Sequence, residues 1–134
     1  MGHTVPLQAL HEALRAAWSA DTSASPAWSP ANCAKGQCAV TACVVQDYLG
    51  GDILHANAAL PTGETVSHYF NIIDDETVDY TQEQFPDGTI FSEPAPKTNG
   101  FPSTRVYCLS YDATRERYDL LSSRVAAYLR SRKE

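Results

Sequence analysis

Apolar residues recur along the chain with two periods. Over Pro6 to Ser19, the positions Leu7, Leu10, Leu14, Ala17 and Trp18 stand three and four apart, which predicts a helix with one buried face. The run CAVTACVVQDYL, Cys38 to Leu49, is apolar almost throughout and is closed by Gly50-Gly51. It predicts a central helix buried within the domain, with glycine available for its C-cap. Three β-like segments follow, Asp52 to Ala56, Val66 to Ile73 and Thr77 to Thr81, the last two joined into a hairpin by the turn Asp74 to Glu76. Arg105 to Ser110 reads as another strand. Leu120, Leu121, Val125, Tyr128 and Leu129 then predict a closing helix over Tyr111 to Arg132.

The intervening stretches are of two kinds. Ala20 to Gly36 collects Ser, Pro, Ala and Gly between Trp18 and Trp28, which predicts an ordered loop packed on the body. Phe85 to Pro102, rich in Pro, Gly, Asn and Ser, reads as a long surface loop or a pair of turns. There is no internal repeat and no low-complexity tract. The pattern as a whole predicts an α+β fold, a central helix packed on a small antiparallel β-sheet, in a single domain over residues 1–134.

Composition narrows the classes of function. With 134 residues and 43% hydrophobic content the chain can bury a core without disulfides or metals. Four cysteines, Cys33, Cys38, Cys43 and Cys108, are too few for a disulfide scaffold, and MGHTVPLQALHEALRAAW holds no apolar signal core. The expectation is a reduced, cytoplasmic protein. No run approaches the roughly 18 apolar residues of a membrane span. A net charge of −6 argues against a nucleic-acid surface. Arg124, Arg130, Arg132 and Lys133 lie toward the end of the closing helix, where positive charge complements the helix dipole.

Three side chains able to do chemistry together occur in order: Cys38 at the head of the central helix, His68 in TVSHYFNII and Asp79 in TVDYT. A thiol at a helix N-terminus sits where the peptide dipoles favour the thiolate. A nucleophile of this kind needs a base, and the base a partner that fixes its tautomer. A hairpin would bring His68 and Asp79 to adjacent rungs; laid across the head of the helix, it would present the imidazole to the sulfur. An acyl-transfer site also needs oxyanion donors. The Cys38 N–H is one candidate and the side-chain amide of Asn32, or of Gln37, a second, with Asn32 favoured because its loop can fold back over the site. Cys43 reads as core packing. Cys33 reads as an incidental loop thiol that could pair with Cys38 on oxidation. No CxxC or HxxxH spacing points to zinc on Cys33, Cys108, Cys38 and His68, so neither a metal nor a cofactor is expected. His11, His55 and His3 receive no role.

The order of Cys at a helix head, His followed by an aromatic, and Asp followed within two residues by Thr resembles the core of the papain-like and transglutaminase-like cysteine enzymes. More closely, NCAKGQCAVTACVVQDYLGG with SHYFN and VDYTQEQF is similar to the small bacterial YunG-like proteins, over roughly Trp28 to Phe85. The wider superfamily implies thiol-dependent hydrolysis or acyl transfer on a small-molecule, peptide or protein amide, or on a thioester, with Cys38, His68 and Asp79 as the triad. The position of Asn32, six residues before Cys38, resembles that of the papain-like oxyanion amide. The rival expectation is a binding or inhibitor-like module that keeps the fold without turnover.

Overall fold

The computed structural model of the chain describes residues 5–132; His3 and Lys133, singled out above, lie outside that range. The first helix, α1, is Leu7–Ala17, and its buried face is Leu10, Ala13, Leu14 and Ala17. Leu7 is 52% exposed, since it stands in the first turn before the packed face begins. The ordered loop after α1 contains a 3₁₀ turn at Ala20–Thr22, whose amides are met by a Ser19–Thr22 capping box. Trp18 turns inward and its indole N–H donates to Thr41 Oγ1 at 2.9 Å, which ties this loop to the central helix α2, Cys38–Leu49. Gly50, at φ 74°, ends α2 in the left-handed region that the sequence assigned to glycine.

Four strands form one antiparallel sheet: β1 Asp52–Ala59, β2 Thr65–Ile73, β3 Glu76–Val78 and β4 Ile90–Phe91, in the order β3-β2-β1-β4. Asp74 and Asp75 carry φ of 53° and 67°, the two-residue turn whose twist suits a tight hairpin. Two expectations need correction here. The third segment ends at Val78, so Asp79 to Thr81 lie beyond the strand. The long Phe85 to Pro102 stretch is not wholly loop: β4 pairs with Ala58 and Ala59 of β1, and Ala95 bridges His55.

Arg105 to Ser110 is also not a strand. It forms helix α3, Thr104–Leu109, started by Ser103, whose side chain accepts from Val106 N. The alternation of RVYCLS imitates a strand, but the buried pair is Thr104 and Cys108, four apart, as one helical face requires. Helix α4, Asp112–Arg132, closes the chain with Arg130 and Arg132 in its last turn. Arg124 does more than complement a dipole: it donates to Ala17 O and Ser19 Oγ at 3.1 and 2.9 Å, meeting a carbonyl that the end of α1 leaves open.

α2 packs on β1 and β2 with one side, and α4 packs on both α2 and α1. α2 is therefore the middle layer, and Val44, Val45, Leu10, Leu14, Leu121 and Val125 form the core with it. A second cluster, Ala42, Cys43, Ile53 and Cys108 with Tyr69 and Ala39 against it, seats α3 beside the first turns of α2. Among the described residues no helix is long and apolar enough to cross a membrane.

Candidate active site

The head of α2 meets an unfinished edge of the sheet. β3 pairs only with Asn71, Ile72 and Ile73, so β2 from Thr65 to Phe70 has no strand beyond it. Asn57 exchanges hydrogen bonds with Ser92 on the β4 side, at 2.9 Å from Ser92 N–H to its carbonyl and 2.8 Å from its own N–H to Ser92 Oγ. Ser67, opposite Asn57, must then turn its peptide groups the other way, toward the open edge. Cys38 occupies that edge: its thiol donates to Ser67 O with sulfur and oxygen 3.7 Å apart.

His68 is next in the strand and is 1% exposed. By alternation it stands with Phe70 on the face that carries no helix, whereas Tyr69 and Asn71 face α2, where Asn71 Nδ2 donates to Ala42 O at 3.0 Å. Phe70, Phe85 and Phe91 pack around the imidazole at ring separations of 5.7, 4.9 and 5.7 Å. Its Nε2 is 2.7 Å from Asp79 Oδ2. Asp79 is not on an adjacent rung. Continuing the β2–β3 register by one residue sets it opposite Phe70, a diagonal neighbour of His68 on the same face, within reach of a bent side-chain pair.

With Nε2 committed to the carboxylate, Nδ1 is left buried with no hydrogen bond of ordinary geometry, and the Cys38 sulfur lies near enough to act on the ring. Burial alone pulls the imidazole pKa down, but hydrogen bonding to Asp79 and Cys38 and their negative charge outweigh it and hold His68 up at about 9. The imidazolium is thus the favoured form at neutral pH. No side chain caps the first turn of α2, so the dipole at the Cys38 amide is met by no protein anion. Cys43, on the same helix, is fully buried, and its thiol is pushed up to about 12 by burial and, less, by Cys108.

Residues without a role in the sequence reading hold the arrangement together. Thr81, buried, donates to the second carboxylate oxygen of Asp79 at 3.5 Å. Gln84 is a clamp between two loops: its Nε2 donates to Thr81 O at 3.0 Å, its Oε1 accepts from Gly36 N at 3.2 Å, and its carbonyl accepts from Asn32 Nδ2 at 3.2 Å. The segment that carries Asp79 is thereby fastened to the loop that delivers Cys38. The clue was present in VDYTQEQF, where Thr81 and Gln84 are three apart, the spacing that a 3₁₀ turn such as Gln82–Gln84 brings together. Gly36 has φ 74°, and a Cβ there would lie 2.3 Å from Ser23 Oγ, so close packing of two loops requires glycine before the thiol.

Asn32 is therefore drawn toward Gln84, with one amide hydrogen committed. Gln37 is fully buried and turns its Nε2 to Ser19 O at 3.0 Å. Cys33 packs against the α1–α4 core, whereas Ala39, next to Cys38, packs beside Cys108. All four cysteines are free thiols. His55 makes a ring contact with Tyr69 at 5.1 Å, and its pKa is lowered by burial, then by Lys97 and His68. Among the described residues no group of three or more His, Cys, Asp and Glu side chains could hold a metal ion.

The family model described as YunG protein matches residues 6–130, nearly the whole of the described chain. The chain belongs to the YunG protein family. Among curated proteins it is similar to Uncharacterized protein YunG of Bacillus subtilis (strain 168), with 35% identity over 72 residues, which is 54% of this chain and 56% of that protein. The match thus spans little more than half the length of its YunG relative. No solved structure matches.

Proposed function

We propose that this YunG-family chain is a papain-like or transglutaminase-like cysteine enzyme, a single domain that hydrolyses or transfers an acyl group from an amide or thioester. The observation that carries the reading is the buried His68, bonded to Asp79 at 2.7 Å and following in the strand Ser67, whose carbonyl meets the Cys38 sulfur. In this reading His68 takes the Cys38 proton and the thiolate attacks the acyl carbon, forming a C–S bond. The Cys38 N–H at the uncapped helix head steadies the oxyanion, joined by the amide hydrogen that Asn32 does not give to Gln84. His68 then returns its proton to the departing amine or thiol as the C–N or C–S bond breaks. Water, or another nucleophile, releases the acyl group after losing a proton to the same imidazole. Asp79 keeps Nε2 protonated, so that Nδ1 faces the thiol.

The reaction needs no cofactor, and the substrate is a small-molecule, peptide or protein amide, or a thioester. Intact-mass analysis after brief exposure to an activated acyl donor such as p-nitrophenyl acetate tests it. The expected result is one acyl mass on Cys38 that is absent from Cys38→Ala and from His68→Ala. A wild-type chain that acquires no such mass, or acquires it equally in His68→Ala, would favour a binding module that keeps the fold without turnover.

A further inference from the structure

The helix-free face of the sheet holds a cavity to which the mechanism assigns no ligand. Its volume is about 210 Å³, and Ala56, Phe70, Phe91, Pro94, Gln82 and the paired His68 and Asp79 are among its walls. This is below the roughly 300–1,000 Å³ of pockets for drug-sized ligands, so a fragment-sized group would fill it. The walls are aromatic and apolar apart from the Asp79 carboxylate, the His68 imidazole and neutral polar groups.

The charged groups on its wall are Asp79 and the His68 imidazolium paired with it. Asp79 gives one oxygen to His68 at 2.7 Å. The other has the Thr81 hydroxyl at 3.5 Å, long beside the roughly 2.5–2.7 Å of a hydroxyl bound firmly to a carboxylate. Apart from His68, no basic side chain lines the cavity. The neighbouring hollow, which shares Gln82 and Phe91 with it, is lined by Asp87 and by Glu83, the latter paired with Arg15. A carboxylate with acceptor capacity to spare, beside aromatic rings, is complementary to an organic cation.

We propose that this cavity is a binding site for an organic ammonium group, docked against Asp79 on the side of His68 away from Cys38. A cation there competes with the imidazolium for Asp79 and disfavours the charged ring. The site stands on the cavity itself and does not depend on turnover by Cys38.

Titration calorimetry and the His68 ring signals in NMR test it, with n-butylammonium and tetramethylammonium chloride as probes. The matched neutral compounds are n-butanol and tert-butanol, and sodium chloride controls for ionic strength. The expected result is saturable binding of the cations, at least ten-fold tighter than of their neutral matches, with a shift of the His68 signals. Tighter binding of n-butylammonium would point to a lysine-like head, and of tetramethylammonium to a quaternary one. Binding should persist in Cys38→Ala, which separates it from the catalytic reading. It should be lost in Gln82→Lys, an exposed position where an ammonium group is placed at the cavity wall. Equal binding of cations and neutral matches, no saturable binding, or binding unchanged in Gln82→Lys would overturn the proposal.

Discussion

Helix α2 carries two thiols five residues apart, and they could hardly be placed more differently. Cys43 is in the middle of the helix, fully buried among Ala42, Ile53 and Cys108, where burial raises its pKa to about 12. Cys38 is at the uncapped head of the helix, half-buried, with its sulfur 3.7 Å from Ser67 O and with His68 beside it, its pKa held up at about 9. Residue type is shared, and what separates them is position along one helix: a body that fills the core, and an end whose orphan amides and dipole face a sheet edge that β3 fails to cover. In the proposed reading, a reactive cysteine is a property of the junction between elements.

The comparison can be broken most decisively by alkylation. With a pKa of about 12, only roughly one Cys43 in 30,000 is thiolate at pH 7.5, before its lack of access is counted. Iodoacetamide followed by peptide mapping should label Cys38 at least about a thousand-fold faster than Cys43 in the folded protein. Comparable rates would mean that the helix head confers nothing.

The next effect is on stability, and its sign is fixed by His68. A folded pKa of about 9, above the ordinary 6.5, adds stability that is complete below pH 6.5 and is lost as pH rises through 9. The full swing is roughly 2–4 kcal/mol. The buried thiols of Cys108 and Cys43, raised to about 11 and 12, act in the same direction above about pH 8.5, since the unfolded chain ionises there first. Urea unfolding at pH 6.5 and 9 should show the unfolding free energy falling by about that amount. In His68→Gln the loss should begin only above about pH 8.5, and an unchanged pH slope in that variant would separate the imidazole from the effect.

A smaller effect sharpens the contrast at the helix head. Gln84→Ala removes the side-chain bonds to Gly36 and Thr81 but touches neither the thiol nor the imidazole. Cys38 alkylation near neutral pH should slow by about three- to ten-fold, a change of about 0.7–1.4 kcal/mol, while Cys43 stays unreactive. Gln84→Glu, which keeps the acceptor for Gly36, should recover part of the rate. Full reactivity in Gln84→Ala would reduce the clamp to a surface contact.

The parts legible in the sequence were those in which local pattern and tertiary role agree. The periodicity of α1 and α4, the apolar run of α2 and the Asp74-Asp75 turn each specify an element without outside help. RVYCLS failed because its alternation fits both a strand and one turn of helix, and the Ser103 cap with burial of Thr104 and Cys108 decided between them. Ile90–Phe91 was hidden because two residues are too few to show a period, and they pair only because β1 is present to receive them. At the site, Cys38, His68 and Asp79 were visible as residue types in order. Thr81 and Gln84 offered only their three-residue spacing in VDYTQEQF, since a neutral polar side chain in a turn announces no partner until the chain is folded.

The pH dependence of Cys38 alkylation, wild type against His68→Ala, tests the central claim most directly. If the thiolate is held by the His68 imidazolium, the wild type should react at pH 7 at least ten-fold faster than His68→Ala. The two rates should converge above about pH 9, where the imidazole has lost its proton and an unassisted thiol ionises by itself. Superimposable profiles that both rise as an ordinary thiol titrates would contradict the account and leave Cys38 a thiol beside a histidine that does not act on it.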